Sequence, residues 1–167
     1  MIKIVMSIIF ILAFVACSND SKVKVPKTTV EYIENSEYTL VQKGAYKNAC
    51  IRCGMNLKKF YKTSHIAQDE TTNYQYCSLH CLEDHLGDGI KLKNPQVLAL
   101  DKMKFMNVYD VYYVVGSSKK GTMSRVSKFA FSTKKEAEVF QFYNGGKIMD
   151  FKAARAKAKE DFIHYKR

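Results

Sequence analysis

The chain has 167 residues, 47% apolar and 13% aromatic, which supports a packed core in one ordinary domain or two small ones and excludes a disordered polymer. Its formal charge of +11 selects acidic partners, anionic lipid headgroups or nucleic acid.

At the N-terminus, Lys3 is followed by an apolar run from Ile4 to Ala16 that only Ser7 interrupts. The run suits the h-region of an export signal and falls short of the roughly 20 residues that a membrane-spanning helix needs. It closes on Phe14-Val15-Ala16-Cys17, with a small residue directly before a cysteine, as in a bacterial lipobox. Residues 1–16 are therefore expected to be a lipoprotein signal peptide and Cys17 the lipidated first residue of the mature chain. The plainer alternative is an ordinary secretion signal with an incidental cysteine. An exported chain does not meet nucleic acid in the ordinary course, so the basic surface is expected to face a membrane leaflet or an acidic protein. Residues 17–44, rich in Lys, Ser, Thr and Glu around Pro26, form a tether that ends in a short strand over 38–42.

Next comes Cys50-Ile51-Arg52-Cys53-Gly54-Met55, two thiols and a thioether in six residues. Strands are expected over 64–68 and 73–77, separated by the polar turn Asp69-Glu70-Thr71-Thr72. The spacing of Leu79, Leu82 and Leu86 predicts a helix over 78–86 that stops before Gly87 and Gly89, followed by a strand over 96–101. The order then recurs. Residues 111–115 and 126–131 read as strands around a polar loop, with Val126, Lys128 and Ala130 on one face against Ser127, Phe129 and Phe131 on the other. Thr133 and Glu136 make a capping box for a helix carrying Ala137, Phe140 and Tyr143, which ends at Gly145-Gly146 before a strand over 147–151. The predicted fold class is α+β, with two similar ββαβ modules over 45–105 and 106–151. A basic helix over 152–167, with little apolar stripe of its own, is expected to be solvated.

Apart from Cys17, four cysteines remain: Cys50, Cys53, Cys77 and Cys81. In an oxidising compartment paired cysteines are most often disulfides, but a Cys-x-x-Cys loop stabilises little, because the entropy removed from the unfolded chain grows with loop length. On the predicted helix Cys77, Cys81 and His85 recur every four residues on a side away from the leucines, which would leave them reachable, with Cys77 at the positive helix start. His80 lies between the two faces and is read as a surface residue. Thiolate and thioether sulfur are soft donors that select Cu(I) over hard cations. Four thiols could instead close a tetrahedral Zn site, or Cys50 and Cys53 could cycle as a redox pair. A closed zinc site leaves Met55 unexplained. Met103, Met106 and Met149 fit as core filler. Met123 does not, because its loop, Gly116 to Ser124, offers no apolar neighbour, and a thioether displayed there suits a soft, exchangeable metal site.

The lipobox-like start, Cys50-x-x-Cys53-Gly54-Met55, the Tyr113-Val114-Val115-Gly116-Ser117 run, Gly121-Thr122-Met123, and Ala130-Phe131 followed by Ala137-Glu138, Phe140 and Gly145-Gly146 together resemble the NosL family. That resemblance implies a lipid-anchored copper chaperone on the periplasmic side of a bacterial membrane, serving assembly of nitrous oxide reductase. It also implies two ββαβ modules and Cu(I) held by Cys53, Met55 and Met123. The loop departs from the family's Gly-Pro-Met-Gly by reading Gly-Thr-Met-Ser, and Cys77 with Cys81 is an addition to the core motif: further copper ligands, a disulfide or part of a zinc site. The mechanistic expectation is an exposed site of low coordination number that passes Cu(I) by ligand exchange, without enzymatic activity, to the reductase or its maturation complex.

Overall fold

The structure, a computed structural model, describes residues 38–163. The expected signal segment, the tether as far as residue 37, the lipidation candidate Cys17 and the last four residues lie outside the described residues.

Strands β1 (His65–Gln68) and β2 (Asn73–Tyr76), helix α1 (Leu79–Gly87) and strand β3 (Lys93–Ala99) form a first ββαβ set. After strand β4 (Lys104–Asn107), a second set follows in β5 (Tyr112–Val115), β6 (Lys128–Phe131), α2 (Lys134–Asn144) and β7 (Lys147–Met149), and α3 (Phe151–Ile163) closes the order. In each set the first strand lies in the middle, antiparallel to both of the others. The sets join where β3 runs parallel to β6 at Ala99 and Ala130, so that one sheet has the order β2-β1-β3-β6-β5-β7, with β4 paired to β3 off that row. The fold is thus α+β, built from two similar ββαβ units.

Local chemistry explains most of these elements. The Asp69 carboxylate accepts the Thr71 and Thr72 amides at 2.8 Å each and turns the chain between β1 and β2. The Thr133 hydroxyl accepts the Glu136 amide and starts α2, which ends at Gly145 in the left-handed region. Alternation along β5 and β6 sends Tyr113, Val115 and Ala130 into one core, and Val114, Phe129 and Phe131 into another. Helix α2 covers the second face with Ala137 and Phe140, whereas Leu79 and Leu82 of α1 and Phe151, Ala154 and Ala158 of α3 belong to the first. Each fully buried leucine contributes about 2 kcal/mol through its removal from water.

Three expectations need correction. No strand forms over 38–42, because the Gln75 side chain does what a neighbouring strand's backbone would: its amide bonds the Val41 N–H and the Thr39 carbonyl. Strand β4 was not foreseen; it pairs Phe105 and Met106 with Leu98 and Val97 after a turn in which Met103 adopts φ 52°. The C-terminal helix is not a solvated appendage. It starts at Phe151, which the sequence assigned to the last strand, and Phe151, Ala154 and Ala158 then form a stripe buried against α1 and the sheet.

Candidate metal centre

Cys50 to Met55 form a tight knuckle. An antiparallel bridge joins Ala49 to Asn56, the Cys50 amide donates to the Met55 carbonyl at 2.8 Å, and the Gly54 amide donates to the Cys50 carbonyl at 2.9 Å. Gly54 has φ +72°, a conformation that side chains rarely adopt, so glycine is required for the turn to close. The knuckle aims both thiols at the chain that enters α1.

Cys77 and Cys81 come from that chain. Ser78 is the N-cap and α1 begins at Leu79, so Cys77 precedes the helix, one residue outside the place the sequence assigned to it. Arg52 holds the two thiol pairs together: its Nε lies 2.7 Å from Asp84 within α1 and its Nη1 2.7 Å from Asp88, the C-cap of that helix. This forked clamp fastens the knuckle across the helix. It was legible only as an arginine between cysteines and two aspartates one helical turn apart.

The result is a compact sulfur cluster. Cys77 Sγ is 3.5 Å from Cys53 Sγ and 3.7 Å from Cys81 Sγ, and all four thiols lie within 4.8 Å of one another. A disulfide would need about 2.05 Å, so these are reduced thiols. Cys50, Cys77 and Cys81 are 2%, 0% and 2% exposed, while Cys53 is only half-buried. The expected reachable face of Cys77, Cys81 and His85 is therefore corrected. All three are buried together with Leu79 and Leu82: the knuckle brings Cys50 and Cys53 against Cys77 and Cys81, and Tyr74 and Tyr76 of β2 close on the His85 ring. His85 is engaged through its Nδ1 with the Tyr76 hydroxyl at 2.8 Å. An open cleft of about 440 Å³, lined by Tyr46, Ile51, Gly54 and Tyr74, reaches Cys50 from outside.

Protons are shared unequally. Hydrogen bonds from the Cys77 and Cys81 thiols hold the Cys50 thiol far below its ordinary pKa, against the opposing effect of burial. The same bonds to Cys50 push Cys77 and Cys81 upward, and burial adds to this. A cation that binds thiolate would displace the protons that these sulfurs share.

The two methionines differ in placement. Met55 is half-buried and packs against the same core cluster as Cys53. Met123 is 41% exposed on the loop between β5 and β6, with φ 52°. Its neighbour Thr122 is buried, 2.7 Å from the Thr63 hydroxyl, which in turn lies 2.7 Å from the Cys77 carbonyl. With one proton to give, Thr63 donates to the carbonyl and accepts from Thr122. Gly121 makes room for this, since a Cβ there would meet the Ser127 Cα at 2.8 Å. The loop is therefore moored to the backbone of a cluster cysteine, with the thioether turned outward in a strained conformation of the kind that gathers at functional sites.

Against known proteins, the family model described as NosL matches residues 43–158. The crystal structure of the copper chaperone NosL from Shewanella denitrificans is similar to this chain with a TM-score of 0.52 and 27% identity, over 67% of this chain and 94% of that one. A search of curated proteins found no match. The family match takes in the knuckle, both ββαβ sets, the methionine loop and more than half of α3, and on that span the chain belongs to the NosL family.

Proposed function

We propose that this chain is a membrane-anchored Cu(I) chaperone that delivers copper to the copper-sulfide centre of nitrous oxide reductase, acting on the periplasmic side of a bacterial membrane through a lipid on Cys17. The observation that carries the reading is the convergence of Cys50, Cys53, Cys77 and Cys81 within 4.8 Å, with Met55 packed against the same core cluster, in a chain similar to a copper chaperone. Sulfur donors of this kind favour Cu(I). Hand-over proceeds by ligand exchange at Cys53, the one thiol of the four with substantial exposure: an acceptor sulfur bonds the copper before a donor leaves, and no catalytic base is required. The acceptor is the reductase or its maturation complex, and nucleic acid has no part in the cycle.

A second reading, a structural zinc lipoprotein, draws support from spacing. Four sulfurs about 2.3 Å from a tetrahedral ion stand about 3.8 Å apart, close to the observed 3.5 and 3.7 Å. The two readings separate in a competition of Cu(I) and Zn(II) for the reduced full chain against chelators of known affinity. We expect Cu(I) to displace Zn(II), Cys53→Ala to lower Cu(I) affinity more than about hundredfold, and Met123→Ala to slow copper transfer to the chelator about tenfold, since even outer partners of a metal site are worth about ten- to hundredfold. Retention of Zn(II) against Cu(I), or full affinity in Cys53→Ala, would reject the copper reading.

A further inference from the structure

The four thiols and two thioethers are not equivalent, and their differences fall into a pattern. Cys50, Cys77 and Cys81 are buried, Cys53 is half-buried, and Met123 is exposed on a loop whose Thr122 is bonded, through Thr63, to the Cys77 backbone. Cys53 Sγ touches the inner group at 3.5 Å from Cys77 Sγ, and belongs to the same short knuckle as Met55. A transfer site made only of Cys53, Met55 and Met123 would have no use for three further thiols within 4.8 Å. Burying three polarisable S–H groups beside a clamped arginine fork costs design freedom in a core that leucine or valine would otherwise fill.

We infer that the sulfur cluster is a two-position copper site: an inner storage shell of Cys50, Cys77 and Cys81, and an outer exchange face of Met55 and Met123, with Cys53 as the ligand common to both. This deepens the copper reading above and rests on it. Moving inward, copper keeps its bond to Cys53, its bonds to the uncharged thioethers break, and bonds to inner sulfurs form. Each thiol that becomes a ligand releases one proton to solvent, and the copper stays monovalent throughout, so no electron acceptor is needed. Moving outward, the inner sulfurs regain their protons and the thioethers return. The inner shell offers more sulfur donors and exclusion of water; the outer face offers access to an acceptor. A carrier built this way holds copper tightly at rest and presents it from weaker ligands during transfer.

The test compares the reduced full chain carrying one equivalent of Cu(I) with two double variants. X-ray absorption counts the sulfur neighbours of copper, chelator competition gives affinity, and stopped-flow transfer to a chromogenic Cu(I) chelator gives the rate. In Met55→Leu/Met123→Ala, which removes only the outer face, copper is expected to keep three or more sulfur neighbours and an affinity within about tenfold of wild type, while transfer slows at least about tenfold. In Cys77→Ser/Cys81→Ser, affinity is expected to fall more than about hundredfold and transfer to quicken, beyond the ten- to hundredfold worth of an outer partner. Should the serine variant fail to fold, the methionine variant decides alone, because Met123 is exposed and leucine replaces Met55 at similar volume. A copper shell of two sulfurs in the methionine variant, or wild-type affinity in a folded serine variant, would overturn the storage shell and leave the chaperone reading standing. A wild-type chain that takes up Zn(II) and refuses Cu(I) would overturn both.

Discussion

Arg52 is the residue on which the sulfur geometry leans most. Its side chain is about a quarter exposed and its guanidinium forks between Asp84 and Asp88, a two-pronged geometry better defined than a single surface bridge. Arg52→Gln would remove no sulfur yet release the knuckle from α1. Cu(I) affinity measured by chelator competition is expected to fall about ten- to hundredfold, with the circular dichroism spectrum unchanged. His65 makes a prediction about pH instead. Fully buried, it donates from Nδ1 to the Thr63 carbonyl at 3.0 Å and accepts at Nε2 from the Tyr113 hydroxyl at 3.2 Å. Burial lowers its pKa to about 4, the Thr63 bond opposing only in part. The unfolded chain therefore binds a proton that the folded chain refuses. This stability is complete above the ordinary histidine pKa near 6.5 and is lost as pH falls toward about 4, a loss of about 3 kcal/mol over that window. Denaturant melts at pH 7 and pH 5 should show it, and His65→Gln should make the dependence shallower.

Helix α3 ties together elements that the chain places far apart. Arg155 pairs with the buried carboxylate of Glu83 on α1, and Asp161 accepts from Lys128 on β6 and from the Ser124 hydroxyl, each at 2.6 Å. Through these bonds the helix fixes both the segment that carries Cys81 and the loop that carries Met123. The Lys128–Asp161 pair is buried on both sides, and burial opposes the lysine's charge while Asp161 supports it. Removing one partner strands the other without solvent, so Asp161→Ala is expected to cost about 3–5 kcal/mol in chemical denaturation. Replacing both, as Lys128→Met/Asp161→Leu, should restore most of that loss. In the copper-transfer assay the double variant should still differ from wild type, because Ser124 loses its acceptor and the Met123 loop its mooring.

Taken as a body, the described chain gathers its four clustered thiols from the knuckle that precedes β1 and from the start of α1, so a metal bound there would be linked to the fold. A ligand that binds only the folded state stabilises it by about 4 kcal/mol at a thousand times its dissociation constant. Differential scanning calorimetry of the reduced chain should therefore show a rise in melting temperature with one equivalent of Cu(I), and Cys53→Ala should abolish that rise while leaving the metal-free transition close to wild type. A melting temperature indifferent to copper would argue against a site that spans the knuckle and α1.

Much of this molecule could be read before any coordinates. Strand and helix order followed from the alternation in β6, the Thr133–Glu136 cap and the paired glycines after α2, because each of these rests on backbone and side-chain rules that act within a few residues. The knuckle was equally plain, since two thiols, a glycine and a thioether in six positions state their chemistry locally. Where the reading failed, the cause lay at a distance. Cys77 and Cys81 looked accessible on a lone helix, and it is the knuckle, from a distant part of the chain, that closes over them. Helix α3 in turn looked solvated, because its stripe of alanines acquires an apolar role only when Phe151 is counted with it and a sheet lies underneath. The donor types were a property of composition and spacing; which donors lose their water, and which one stays at the door, was settled by long-range contacts whose partners sit dozens of residues away.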